Sequence, residues 1–334
     1  MANGYLCLRK SRTTMMMKTI RYILFSLLLA FMAVACRNTT TEQGSDTTQR
    51  DSDEATGFFD TQAAEQAAQK TETKKSDRPH KMEIPAELKG RPDMLLVRDG
   101  YYVSYNKDWR IANWVAWHLT KAHTYGNYGR TEMEFREDTE VPRPRATDED
   151  YYDSRYDRGH LCPSGDNKWD NRAQIQSFLF TNVCPQNHGM NKGEWNDLEM
   201  QCRDWARQYG DLYIVAGPIF YDGVKKTIGR NKVAVPDALF KVVLCMKNYA
   251  KAIAFIVPNK GNKDGQNNLR QYVVPIDSVE RLTGIDFFPS LKDDTEKRVE
   301  ASEHEDMVRD WNVPVRYYYE RRGSGGGSRS GWRY

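Results

Sequence analysis

At 334 residues the chain is long enough for one large domain or two small ones. Lys and Arg number 49 against 46 Asp and Glu, so a formal charge of +3 excludes a histone-like polycation while leaving room for a local basic groove. A hydrophobic share of 39% with 8 Trp and 19 Tyr is enough for a sizeable core, and a mean hydropathy of -0.77 reflects polar segments at both ends.

Three consecutive methionines, Met15 to Met17, mark an alternative start of translation downstream of Met1. Lys18 and Arg21 follow, and then an apolar run from Ile23 to Ala35. That run has the length of a signal-peptide core and is too short to span a bilayer comfortably, so export is expected. It ends Ala33-Val34-Ala35-Cys36, which resembles a bacterial lipobox except that Ala33 stands where Leu is usual. Residues 1–36 therefore read as a signal peptide with Cys36 as the lipidated membrane anchor, and secretion without lipid as the alternative. Residues 37–84 are rich in Thr, Gln, Asp, Glu, Ser and Lys and poor in branched apolar side chains; they are expected to be a disordered tether.

A single domain is expected over 85–317, with no Pro/Gly/Ser break to mark a linker. Tyr101 to Tyr105 alternates like a strand, and Asn113 to Leu119 is apolar enough for a strand or a buried turn. Asn191 to Tyr209 should be helical, because Trp195, Leu198, Cys202, Trp205 and Tyr209 recur at three- and four-residue steps. Leu212 to Ala216, Ala238 to Cys245 and Ala250 to Val257 read as core strands, and Ser278 to Thr283 as a short helix stopped by Gly284. Residues 318–334 form a Gly/Ser/Arg-rich tail. The class is α+β with a mainly antiparallel sheet flanked by helices.

Export permits disulfides among Cys162, Cys184, Cys202 and Cys245, and nothing in their spacing selects a pairing over free thiols. No zinc motif is present: His118 and His123 have no CxxC partner. These two histidines read as structural, and His188, in the loop between two motifs, reads as a surface histidine, with approach to a substrate as the alternative.

Unusual residues concentrate between Tyr156 and Arg203. Asp157-Arg158-Gly159-His160 is followed by Asn182-Val183-Cys184-Pro185-Gln186, and then by Asn191-Lys192-Gly193-Glu194-Trp195 with Glu199 and Arg203. This is a strand ending in His, a loop, and a helix presenting an amide and a carboxylate. Phosphodiester hydrolysis asks for such a set: a neutral imidazole takes a proton from water, a hard divalent cation on few protein oxygens neutralises charge, and arginine supplies a fixed fork for phosphate. The plainer alternatives are Asn191 as a helix N-cap and Glu199 with Arg203 as a surface ion pair four residues apart.

These motifs resemble the DNA/RNA non-specific endonucleases of the ββα-metal (His-Me finger) class. Asp157 to His160 is similar to their DRGH signature, Asn182 to Gln186 to their NxxPQ element, and Asn191 to Arg203 to their metal-binding helix. Ala112 to Ala116 and Ile276 to Phe288 extend the likeness over roughly residues 92–291. The resemblance implies the ββα-metal fold and Mg²⁺-dependent hydrolysis of DNA and RNA to 5′-phosphorylated oligonucleotides, with Mn²⁺ or another divalent cation able to replace Mg²⁺. His160 would be the general base, Asn191 the metal ligand, and Glu199 the holder of the ion's water shell. Arg158 and Arg203 would contact phosphate, and Asn182 would orient groups at the site. An upstream arginine that stabilises the transition state matches Arg130, with Arg136 as the alternative. Two other classes stand beside the enzyme: a surface lipoprotein that captures DNA without cutting it, and a structural member of an envelope complex.

Overall fold

The computed structural model describes residues 79–131, 133–261 and 268–315. The expected signal segment, Cys36, most of the tether and the Gly/Ser/Arg tail lie outside the described residues. Among the described residues no helix is long and apolar enough to cross a membrane.

The chain runs through strands β1 (Met94–Val97), β2 (Tyr102–Asn106) and β3 (Ile111–Thr120), then helix α1 (Asp148–Tyr151) and strand β4 (Asp157–His160). Helix α2 (Asn171–Ser177) and strand β5 (Val183–Gln186) lead to the long helix α3 (Asn196–Tyr209). Strands β6 (Asp211–Ile219), β7 (Thr227–Ile228), β8 (Val233–Ala234), β9 (Ala238–Cys245), β10 (Lys251–Pro258) and β11 (Val273–Val274) follow. Helices α4 (Ile276–Thr283), α5 (Asp293–Glu300) and α6 (His304–Asp310) close the described part.

Seven strands form one antiparallel sheet in the order β1-β2-β3-β6-β9-β10-β11. Both faces are covered, which is why β9 is buried throughout and reads as an apolar run broken only by Lys241 rather than as an alternating one. Val115, Trp117 and Leu119 of β3 and Leu239 and Val243 of β9 point to one face, against α3 and the β4–β5 hairpin. Trp114 and Ala116, with Phe240, Val242 and Leu244, point to the other, where Ile276 and Val279 of α4, Phe287 and Val299 pack. The Asn113 to Leu119 segment is thus a buried strand, not a turn, and β2, β6 and β10 fall within two or three residues of their expected ends.

Helix α3 presents the stripe its periodicity implied. Trp195, Leu198, Cys202 and Trp205 are at most 1% exposed. Burying Leu198 contributes about 1.5–3 kcal/mol. Trp205 Nε1 also donates to the Trp311 carbonyl (2.9 Å), which binds the segment after α6 to the helix. Helix α4 ends as read, with Gly284 in the left-handed region (φ 65) and its N–H on the Glu280 carbonyl.

Two boundaries differ from expectation. The folded body starts before residue 85: Glu83 and Ile84 are buried, and Ala86 donates its N–H to the Asp286 carbonyl. The helix expected from Asn191 starts one turn earlier, at His188, where the Asn187 side chain caps the N–H groups of Gly189 and Met190. Asn191 is therefore not an N-cap. It has helical angles and opens a wider π turn, Asn191–Trp195, within which Gly193 departs to φ -95, ψ -109.

Candidate active site

Strands β4 and β5 pair antiparallel, placing His160 opposite Val183 and Gly159 opposite Cys184. The hairpin is tied down on both sides of His160. Gln186 Nε2 (3.2 Å) and Trp195 Nε1 (3.1 Å) both donate to the His160 carbonyl. Gly159 permits the first of these bonds, because a Cβ at that position would run into the Gln186 side chain. Asn182 is wholly buried, donating to the carbonyls of Cys162 and Ser177 and accepting from the Cys162 N–H. It orients the backbone that follows His160 and has no exposed surface to offer a substrate.

The His160 ring lies 4.9 Å from Phe178, edge to face, and 5.2 Å from Phe135. Its Nε2 is buried and has no hydrogen-bond partner among the described residues. Burial, and secondly the positive charge of Arg130, depress the imidazole to about 3, so it is neutral at physiological pH. Arg130 is exposed, with its guanidinium 5.9 Å above the Phe178 ring. The same charge also lowers Glu199, which brings His160, Glu199 and Arg130 into one electrostatic neighbourhood. The alternative, Arg136, holds the Phe178–Phe180 strand-like segment through its backbone N–H and carbonyl.

Asn191 is fixed from the same strand as His160. Its Nδ2 donates to Asp157 Oδ2 (2.9 Å), so the amide is oriented by a carboxylate and its Oδ1 is the atom left to accept or to ligate. Asp157 also holds His188, through Nδ1 at 3.0 Å. The π turn separates the remaining pair: Gly193 leaves helical angles between them, so Asn191 lies before the break, tied to Asp157, and Glu199 lies after it in α3, beside Arg203 and Lys241.

Glu199 takes no hydrogen bond from any described residue. Burial pushes its carboxyl up to about 7, against the opposing charges of Lys241, Arg203 and Arg130. An oriented amide oxygen and a carboxylate without hydrogen bonds suit a hard divalent cation that retains most of its waters. These residues fit the implied ion. A separate group of carboxylates, Asp277, Glu280 and Glu300, has ligand atoms within 4.8 Å of one another, but it belongs to α4 and α5 on the opposite face of the sheet.

The two remaining arginines are already engaged. Arg158 pairs with Asp148 (2.6 Å) above the rings of Phe135 and Tyr151. Arg203 pairs with the buried Asp166 (2.8 Å), whose other oxygen accepts from Trp117 Nε1 (3.1 Å). It is not a plain surface partner of Glu199.

His118 pairs with Asp211 and stacks on Tyr213, and His123 stacks on Trp169, so both are structural. The four described cysteines are buried free thiols. Burial pushes Cys184 up to about 12, and the nearby His188 is held by Asp157, which leaves no thiolate–imidazole pair.

The motif carries Asp157 with no role of its own, and no motif marks Asp166, Trp117 or Lys241. Asp157 was within reach, since it stands three residues before the histidine. The other three depend on neighbours that only the sheet brings together.

Residues 83–294 match the DNA/RNA non-specific endonuclease family. The mitochondrial nuclease EXOG of Danio rerio is 38% identical over 206 residues, covering 58% of this chain and 60% of that protein. Human mitochondrial endonuclease G is 35% identical over 206 residues, 58% of this chain and 69% of that protein. A nuclease of Nostoc sp. is 34% identical over 219 residues, 62% and 77% respectively. The chain thus spans about 60% of the EXOG relative's length. A chain of the solved EndoG/EndoGI complex superposes with a TM-score of 0.57 at 28% identity, covering 61% of this chain and 89% of that one. The matched region contains the hairpin, the π turn and every residue of the site, and the chain belongs to the DNA/RNA non-specific endonuclease family.

Proposed function

We propose that this protein is a divalent-metal-dependent endonuclease that hydrolyses phosphodiester bonds of DNA and RNA, leaving 5′-phosphorylated ends. The observation that carries the proposal is a convergence. Arg130 acts electrostatically on both His160 and Glu199, while Asp157, on the same short strand as His160, orients the Asn191 amide.

His160 offers a neutral, unpartnered Nε2, ready to take the proton of an attacking water. The bare imidazole is a weak base because burial, and secondly the charge of Arg130, oppose its protonation; a phosphodiester anion seated on Arg130 offsets the second of these as substrate binds. The Arg130 guanidinium, exposed at the mouth, supplies paired donors to the phosphate oxygens. Arg203, held by Asp166, keeps positive charge beside Glu199. Asn191 would carry Mg²⁺ and Glu199 would hold its water shell, and the bound ion would supply Lewis-acid neutralisation of the developing charge. Departure of the 3′ oxygen leaves phosphate on the 5′ side. Contacts of this kind address the sugar-phosphate backbone, which every sequence shares, so low sequence preference follows.

The proposal extends to location: export by residues 1–36 and anchorage through lipid on Cys36, supported by the n-region, the apolar run and the lipobox-like end. Metabolic labelling with a fatty acid, comparing wild type with Cys36→Ser, tests the anchor; equal labelling of both overturns it.

The activity is tested by incubating purified protein with plasmid and with RNA, with Mg²⁺ or with EDTA, beside His160→Ala. Loss of a general base costs about 10²–10⁴ in rate. Cleavage that persists in EDTA, or an undiminished His160→Ala, refutes the proposal. Retention of DNA without cutting would support a binding lipoprotein instead.

A further inference from the structure

Lys241 lies in the middle of β9, and its side chain is wholly buried. Its Nζ has no hydrogen-bond partner among the described residues. Such a group costs stability, and a hydrophobe of similar length usually serves a core as well or better. The ammonium lies over two indole faces, Trp195 at 4.3 Å and Trp117 at 5.5 Å from the ring centroids.

Each indole turns its N–H toward a different arm of the site. Trp195 donates to the carbonyl of His160, and Trp117 donates to Asp166, which holds Arg203. The ammonium is thus the common contact of the two rings that fix the imidazole strand and the arginine. Its charge is also the largest of those that lower Glu199, ahead of Arg203. Cation–π attraction is strongest over Trp and grows when the cation is desolvated, as here.

We propose that Lys241 is a positioning residue of the hydrolytic site, a buried cation that orients His160 through Trp195 and Arg203 through Trp117 while meeting no substrate itself. This rests on the nuclease proposal above. It explains why an unpartnered charge occupies a position where the sheet needs only an apolar side chain. The site gains fixed geometry at the expense of stability.

The test is Lys241→Met, which keeps the length and removes the charge, measured with plasmid cleavage kinetics and thermal unfolding. The expected result is a kcat about 10- to 100-fold lower, the usual consequence of losing an outer support, with KM within about twofold and an unchanged or higher Tm. Trp195→Phe keeps a ring over the ammonium and removes the donor to His160; it should lower kcat similarly. The double variant should lose no more than the worse single one, because both remove the same support. Lys241→Met that cuts at the wild-type rate, that fails to fold, or whose loss multiplies with that of Trp195→Phe overturns the proposal. So does Trp195→Phe at the wild-type kcat. A wild-type protein that does not cut refutes the nuclease assignment itself, and this inference with it; an active wild type beside an unimpaired Lys241→Met refutes this inference alone.

Discussion

Replacing Asp157 by Ala removes the carboxylate that holds the Asn191 amide and His188 together. The lost interaction is a hydrogen bond to a charged group, worth about 1.5–3 kcal/mol. The Asp157 side chain is 30% exposed, so water competes for part of that and the lower half of the range applies. About 1.5–2 kcal/mol corresponds to a roughly 12- to 30-fold weaker hold on the ion, since 1.4 kcal/mol is about tenfold. The assay is the Mg²⁺ concentration for half-maximal plasmid cleavage, read for wild type, Asp157→Ala and Asp157→Asn. Asp157→Asn retains an acceptor without the charge and should fall between the other two. At saturating Mg²⁺ the Ala variant should recover most of its rate, whereas His160→Ala should not recover at any concentration. An unchanged half-saturation in Asp157→Ala would refute the view that this carboxylate prepares the metal ligand.

Three further outcomes are expected. Gly159→Ala drives a Cβ into the Gln186 side chain and should destabilise by about 1–3 kcal/mol, the usual range for overpacking; an unaltered denaturant midpoint would show that Gln186 moves aside freely. With Glu199 raised to about 7, its ionised fraction grows as pH rises through neutrality, so at limiting Mg²⁺ cleavage should climb with its midpoint near pH 7 and level off about one unit higher; Glu199→Gln should abolish that limb, and a retained limb would assign it to another group. On the opposite face, burial and the neighbouring Glu280, Glu296, Asp277 and Asp286 push Glu300 up to about 8 from its ordinary 4.5. A carboxyl raised on folding contributes stability that is fully present below about 4.5 and is lost as pH rises through about 8. Glu300→Gln should therefore melt higher than wild type near pH 9 and no higher at pH 4; a pH-independent difference would exclude this cause.

What the sequence disclosed and what it withheld divide along one physical line. The strand at Ala238 to Cys245 was legible because burial on both faces favours a near-continuous apolar run, here broken only by Lys241, and the α3 stripe because one buried face imposes a 3.6-residue recurrence. The histidine and the metal helix were legible because their chemistry is carried by residue types in order along a short stretch. Partnerships made across the fold were not. Arg158 and Asp148 are ten residues apart, and Trp117 with Asp166 and Lys241 with Trp195 are farther apart still. Lys241 in particular was absorbed into an apolar strand, since periodicity registers which face a residue occupies and is blind to what lies beneath it. The helix start was misplaced because Asn187 and Asn191 are both acceptable caps in isolation, and the choice was made by Asp157 capturing the second one.

The break at Gly193, inside the turn Asn191–Trp195, has a consequence for how this site is lost. Its angles, φ -95 and ψ -109, lie outside the helical region that a residue with a Cβ favours, so Gly193→Ala pulls the turn toward regular winding from His188 onward. Such a variant keeps every chemically competent side chain and a sound scaffold, yet moves the Asn191 amide relative to Glu199. Inactivation by slippage of the helical gearing leaves the reacting groups of the site untouched, and an inventory of them would miss it.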